Sequence, residues 1–306
     1  MPSFGCEKRK VYSAFGFLLE SEISVPGLRP VDCDSEPDVR VVFGTIPEEP
    51  ESPFDKSFAH SFSSREAILR FDSDLMFYIR NGKTIMIQAS DSVPEDKITS
   101  ILLDFPFAVL LIQRGYFVLH GATVIVDGRA VSFLGRSGEG KSALAHELWR
   151  KGQTLIEDDL CAIKITDNGP VIFPGNYRLS VWRDTIEASG GLDERYRRVR
   201  ADMNKYFVEF SDSANTEPVP ADRFYFISEG NGERFAVEKI KGYNKLKYMM
   251  ASFLHHEITE KTLGKKEMFR MSAQILSSVT SAAIRKNSDL LTVSDFADAV
   301  IAELEQ

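Results

Sequence analysis

A chain of 306 residues with 43% hydrophobic and 27% charged residues has a globular composition, long enough for one large core or two modest ones. Its formal net charge of −8 opposes phosphate backbones on average, so nucleic acid is not an expected partner. Cys6, Cys33 and Cys161 are widely spaced and form no CxxC pair, which argues against a disulfide framework or a zinc site. With no apolar signal core in residues 1–10, the expected compartment is the cytoplasm.

Residues 1–90 read as a small β-rich domain. Apolar runs at 11–19, 39–43, 67–71, 76–79 and 84–87 are separated by breakers at Pro26-Gly27, 47–53 and Asn81-Gly82. Asn-Gly between two alternating runs predicts a hairpin, because its tight turn needs positive φ at both central residues. Residues 91–306 read as a second, larger domain with a helical C-terminal part. Asp91 to Asp96 supply capping residues, and Ile98, Ile101, Leu102, Phe105, Ala108, Val109 and Ile112 keep helical spacing up to Gly115. The apolar stretch 101–112 is too short to span a bilayer and contains Asp104 and Pro106, so no membrane partner is expected. Strand-like runs follow at 117–119 into 122–126 and at 130–134, with a turn at Asp127-Gly128. A helix at 141–151 and a strand at 154–156 come next, then a hairpin from 162–165 to 171–173. From Arg183 onward the pattern gives short helices, a strand at 223–227 and two closing helices at 265–278 and 293–304, the last with Ser294 as its cap.

Gly135-Arg136-Ser137-Gly138-Glu139-Gly140-Lys141-Ser142 fits G-x-x-x-x-G-K-[ST]. Such glycines let successive backbone N–H groups turn inward around phosphate oxygens. Lys141 is placed to reach the β- and γ-phosphates and Ser142 to offer its hydroxyl oxygen to Mg²⁺. The following helix, with Leu144, Ala145 and Leu148 on its apolar face, adds its positive dipole end. The loop is therefore expected to bind the phosphates of a nucleoside triphosphate.

Asp158 and Asp159 follow the run Thr154-Leu155-Ile156 only 17 and 18 residues after Lys141. A doublet there offers two roles, one acid for the metal and one to take a proton from an attacking hydroxyl. His120, after Phe117-Val118-Leu119, is a third candidate. Downstream positive charge comes from Arg178, Arg183, Arg195, Arg197, Arg198, Arg200 and Lys205, one or two of which are candidates to clamp a γ-phosphate or a peptide carboxylate. Trp182 reads as core.

His120-Gly121, the loop from Gly135 to Ser142, Lys151-Gly152-Gln153 and Leu155-Ile156-Glu157-Asp158-Asp159 together resemble the catalytic domain of HPr kinase/phosphorylase, with no gap from His120 to Asp159. The resemblance covers residues 117–165. It implies an α/β P-loop domain of the HPr-kinase/PEP-carboxykinase type, here with the smaller β-rich N-terminal domain. It also implies a kinase that uses ATP and Mg²⁺ to phosphorylate a serine on a protein. Carried over, Lys141 holds phosphates, Ser142 and Asp159 serve the metal, one of Asp158 and Asp159 is the base, and His120 lies near the reaction centre. Ala143 stands where the family has Glu, Asp184 falls where a later family Glu would on an ungapped count, and the later family arginine has no match. Phosphorylase activity and HPr as substrate are therefore not implied.

Tyr12-Ser13-Ala14-Phe15-Gly16, Ser21-Glu22-Ile23-Ser24-Val25-Pro26-Gly27-Leu28, Phe173-Pro174-Gly175 and Arg178-Leu179-Ser180-Val181-Trp182-Arg183-Asp184 are similar to a divergent branch of HPr-kinase-like proteins. That branch occurs with biosynthesis of lasso peptides and other ribosomally made peptides. It implies a peptide or protein substrate with an acceptor serine, and it makes Arg178 the preferred nucleotide-binding arginine. A nucleotide-binding regulatory module and a small-molecule kinase are the rival functions. Homo-oligomerisation is left open.

Overall fold

The computed structural model describes residues 9–47, 55–56, 60–210, 215–230 and 232–305. The first 89 residues contribute β1 (Lys10–Ala14), β2 (Phe17–Ser21), β3 (Arg29–Pro30), β4 (Val39–Phe43), β5 (Asp55–Lys56), β6 (His60–Phe62), β7 (Glu66–Arg70), β8 (Leu75–Arg80) and β9 (Thr84–Ala89). They form one sheet in the order β3-β1-β2-β4-β9-β8-β7-β6-β5. The run 11–19 is two strands rather than one, because Phe15 (φ 51°) and Gly16 (φ 76°) make a tight turn in its middle. Asn81 and Gly82 turn as expected, both at positive φ, and pair β8 with β9. Most of the breaker run 47–53 lies outside the described residues, as does Cys6; Cys33 and Cys161 are unbridged.

Helical spacing from Ile98 to Ile112 gives two helices, α1 (Glu95–Leu102) and α2 (Phe105–Gln113), not one. Pro106 has no N–H, and its ring would collide with the carbonyl four residues back, so the chain breaks at Leu103-Asp104 and restarts with Pro106 in the first turn. α2 is buried along nearly its whole length under the first sheet. That core includes Phe15, Phe77, Ile79, Phe107 and Val109, and it continues into Val118, Leu160, Ala162 and Leu254 of the remaining chain. The core thus runs without a gap across residue 90.

A second sheet is built from β10 (Phe117–Val126), β11 (Arg129–Leu134), β12 (Thr154–Thr166), β13 (Gly169–Ile172), β17 (Val219–Glu229), β18 (Phe235–Lys239) and β19 (Thr280–Lys286). Its order is β11-β10-β12-β13-β17-β19-β18, and β11 also pairs in parallel with β17, closing five strands into a ring. One face packs on α3 (Lys141–Arg150) and α8 (Val293–Leu304), through Val124, Phe133, Leu144, Leu148 and Phe296. Another core joins Phe117, Leu134 and Ile156 to α5 (Tyr243–Ala251) and α7 (Lys265–Ser278), with α6 (His256–Leu263) between these helices in the chain. A three-stranded sheet of β14 (Arg178–Trp182), β16 (Lys205–Glu209) and β15 (Tyr196–Arg198), with the short α4 (Arg183–Ala188), completes this mixed α/β architecture. The cap of α8 is Thr292, whose side chain accepts from the Asp295 N–H, and not Ser294. Among the described residues no helix is long and apolar enough to cross a membrane.

His146 on α3 is fully buried, and its Nε2 meets the Tyr196 hydroxyl at 2.6 Å. Burial, helped by Arg150, pushes its pKa down to about 4. The unfolded imidazole titrates at about 6.5, so stability is complete above that pH and is lost as pH falls towards 4, by about 3 kcal/mol. Denaturant titrations at pH 7.5 and 4.5 should show that His146→Gln removes most of this loss. An unchanged acid sensitivity would contradict it.

Candidate functional site

Leu144 and Leu148, both fully buried, anchor α3 to the second sheet, each contributing about 2 kcal/mol of burial. That fixes the start of the helix, where Lys141 and Ser142 follow Gly140 in the left-handed region (φ 85°). The loop leaves β11 at Gly135, where a Cβ would lie 2.8 Å from the Ile227 carbonyl oxygen, so only glycine fits. Lys141 is nearly buried and donates from Nζ to the Arg136 carbonyl oxygen at 2.7 Å. Burial holds its ammonium below the usual lysine range. The Glu139 carboxylate accepts from the Arg136 N–H inside the loop, and burial raises its pKa. Gly138, Gly140, Ser137, Lys141 and Ser142 line a cavity of about 560 Å³, within the size range of small-ligand sites.

The acidic doublet does not end a strand. β12 continues through it to Thr166, and Asp158 and Asp159 pair with Ala122 and Gly121 of β10. Neighbours on a regular strand point to opposite faces. Here Asp159 adopts φ 72°, a left-handed conformation that aspartate tolerates better than most residues. Both carboxylates consequently lie by the loop, Asp158 against Ser142 and Asp159 in the cavity. Asp158 is 1% exposed, accepts from the Ser142 hydroxyl at 2.8 Å and from the Ser180 N–H at 3.2 Å. Asp159 is more open, its side chain 39% exposed, and lines the loop cavity beside Lys141. His120 lies within β10 rather than after a strand, and its Nε2 stands 3.9 Å from Asp159 Oδ1. Burial, then the charge of Lys141, lowers the His120 pKa. Glu157, the third acid of the run, is fully buried, accepts from Thr123 Oγ1 at 3.2 Å, and has its pKa raised well above normal by burial.

The cavity also takes lining residues that the sequence does not signal, together with Lys205, one of its candidate cations. Trp182 is 55% exposed and lines it, so it is not core. Lys205 on β16 brings a second ammonium opposite the loop, and Thr185 and Asp104 add polar groups. Arg178 is not among the lining residues of this cavity. It is nearly buried beside it, its guanidinium 3.4 Å from the centre of the Phe207 ring and its Nη1 donating to the Pro26 carbonyl oxygen at 3.3 Å. Arg183 and Arg195 pair with Glu187 and Asp193, and Arg200 with Asp202.

Ser142 and Asp158 form a pair of hard oxygen donors of the kind a divalent cation takes. Among the described residues no three His, Cys, Asp or Glu side chains cluster to hold a metal, so phosphate oxygens would have to supply further ligands, the usual arrangement for Mg²⁺. Burial first, then Asp159, pushes the Asp158 pKa up to about 7. The unfolded carboxyl titrates at about 3.9. Its effect on stability is therefore nil below that pH, and stability is lost as pH rises from there through 7. Asp158→Asn should stabilise the ligand-free chain at pH 8 and leave it nearly unchanged at pH 4, as read by chemical denaturation. Equal shifts at both pH values would rule this out.

No family model matches the chain, and no curated protein sequence matches it. Among solved structures, the HPr(Ser) kinase/phosphatase from Coxiella burnetii is similar at a TM-score of 0.32 and 11% identity, covering 61% of this chain and 88% of that one. A likeness of that size carries no weight for the site.

Proposed function

We propose that the chain is a Mg²⁺/ATP-dependent kinase that transfers the γ-phosphate to a serine hydroxyl of a peptide or protein. The observation that carries this reading is the division of labour in the doublet: Asp158 is bonded to the loop serine, while Asp159 is free of the loop and faces the same cavity. Asp158 would take the metal role first given to Asp159, because it is the acid bonded to Ser142, and with Ser142 would hold Mg²⁺, which when bound neutralises phosphate charge. Lys141 and the loop N–H groups hold the phosphate oxygens. Asp159 takes the proton of the acceptor hydroxyl while that oxygen bonds to the γ-phosphorus and the bond to the β–γ bridging oxygen breaks, releasing ADP. His120 orients Asp159. The segments 12–28 and 173–184, similar to the lasso-peptide branch, favour a ribosomally made precursor peptide as acceptor, acting from the cytoplasm.

The test incubates the chain with labelled ATP, Mg²⁺ and candidate precursor peptides and looks for phosphoserine by mass spectrometry. Transfer that requires Mg²⁺ supports the reading. ATP binding with no transfer to any hydroxyl would favour a regulatory module instead.

A further inference from the structure

A second cavity of about 290 Å³ adjoins the loop cavity, and the two share Asp104, Asp159, Ser180 and Lys205 as a common boundary. Direct in-line transfer needs the acceptor oxygen against the γ-phosphorus, opposite the leaving oxygen, with the group that takes the proton beside that hydroxyl. Asp159 occupies that boundary. The charged residues peculiar to the second cavity are of one sign, Arg178 and Arg200. Apolar lining comes from Ile101, Leu103 and Met203.

Arg178 is the informative member. It is 8% exposed, and none of the described carboxylates forms an ion pair with it. Its Nε is buried with no hydrogen-bond partner among the described residues. Stacking on Phe207 and one bond to a backbone carbonyl compensate part of the cost of burying this charge. A guanidinium so placed is completed by an anion.

We propose that the second cavity is the acceptor site and that it selects a hydroxyl-bearing acceptor with an anionic group, which Arg178 and Arg200 bind. This rests on the kinase reading above. The acceptor hydroxyl then lies towards Asp159, loses its proton there and gains the phosphoryl group from the loop side. Arg178 thereby belongs to acceptor recognition and not to the nucleotide. A neutral acceptor of the same shape leaves the guanidinium unpaired and binds more weakly.

The experiment observes the methyl resonance of Met203 in the full chain labelled at methionine methyls, assigned by Met203→Leu. N-acetyl-L-serine, N-acetyl-L-serinamide and inorganic phosphate are titrated separately, with and without Mg²⁺ and a non-hydrolysable ATP analogue. The expected result is a saturable shift with N-acetylserine or phosphate and binding at least about ten-fold weaker for the serinamide. Whichever anion binds more tightly identifies a carboxylate or a phosphate as the recognised group. Arg178→Gln should remove the preference for the anion, and Arg200→Gln, nearer the surface, should weaken it several-fold in a chain whose core is untouched. Equal binding of the serinamide and N-acetylserine, with no response to phosphate, overturns the proposal. So does Arg178→Gln weakening the ATP analogue as much as Lys141→Ala does. Failure of the wild-type chain to bind the analogue sinks the kinase reading instead, while the anion titration without nucleotide still judges the cavity.

Discussion

Asp159→Asn is expected to lower phosphoryl transfer about a thousandfold while nucleotide affinity changes by no more than about twofold. The side chain makes no hydrogen bond to the loop, and its near neighbour is His120 at 3.9 Å. Removing its charge takes away the proton acceptor and leaves the phosphate cradle intact. Asp158→Asn should behave differently. It breaks a buried carboxylate away from Ser142, so the Mg²⁺ concentration needed for half-maximal activity should rise at least about ten-fold. Steady-state kinetics over a Mg²⁺ series separates the two. If Asp159→Asn turns over normally and Asp158→Asn loses transfer at every Mg²⁺ concentration, the two roles are exchanged.

Lys141→Ala should abolish measurable transfer, by a factor of about a thousand or more, because it removes a positioned positive charge from the phosphates in a cavity where water screens poorly. Lys141 already sits nearly buried against the Arg136 carbonyl, so its ammonium needs little reordering to meet a phosphate. The variant should still fold, since α3 is held by Leu144 and Leu148 rather than by Lys141. Circular dichroism checks the fold, and single-turnover transfer checks the chemistry. Normal turnover would remove the loop from the reaction.

The glycine-rich loop, its helix and the strand before it were readable as structure because local rules decide them. Glycines at a fixed spacing, an apolar run before and a period-3.6 face after leave few alternatives. β4, β7, β8 and β9 were readable for the same reason, and Asn81-Gly82 marked their hairpin. The centre of β12 was not. Glu157-Asp158-Asp159 has the look of an acidic turn, and only partners far along the chain make a strand of it. Thr123 serves Glu157, and Ser142 and Ser180 serve Asp158. Trp182 was misplaced by type, a tryptophan read as core, and Arg178, read as a nucleotide clamp, lies beside the loop cavity without lining it. Their positions follow from the pairing of β14 with β16, which sequence spacing does not encode. The split between α1 and α2 was open to inspection, because Pro106 alone sufficed to break the helix.

The left-handed backbone at Asp159 puts function and robustness in opposition. An L residue there gives up about 1 kcal/mol that glycine would not. Asp159→Gly should therefore raise the melting temperature while silencing the site. Selection for stability alone would discard this aspartate; on the kinase reading it is kept for the proton it takes, at the expense of durability.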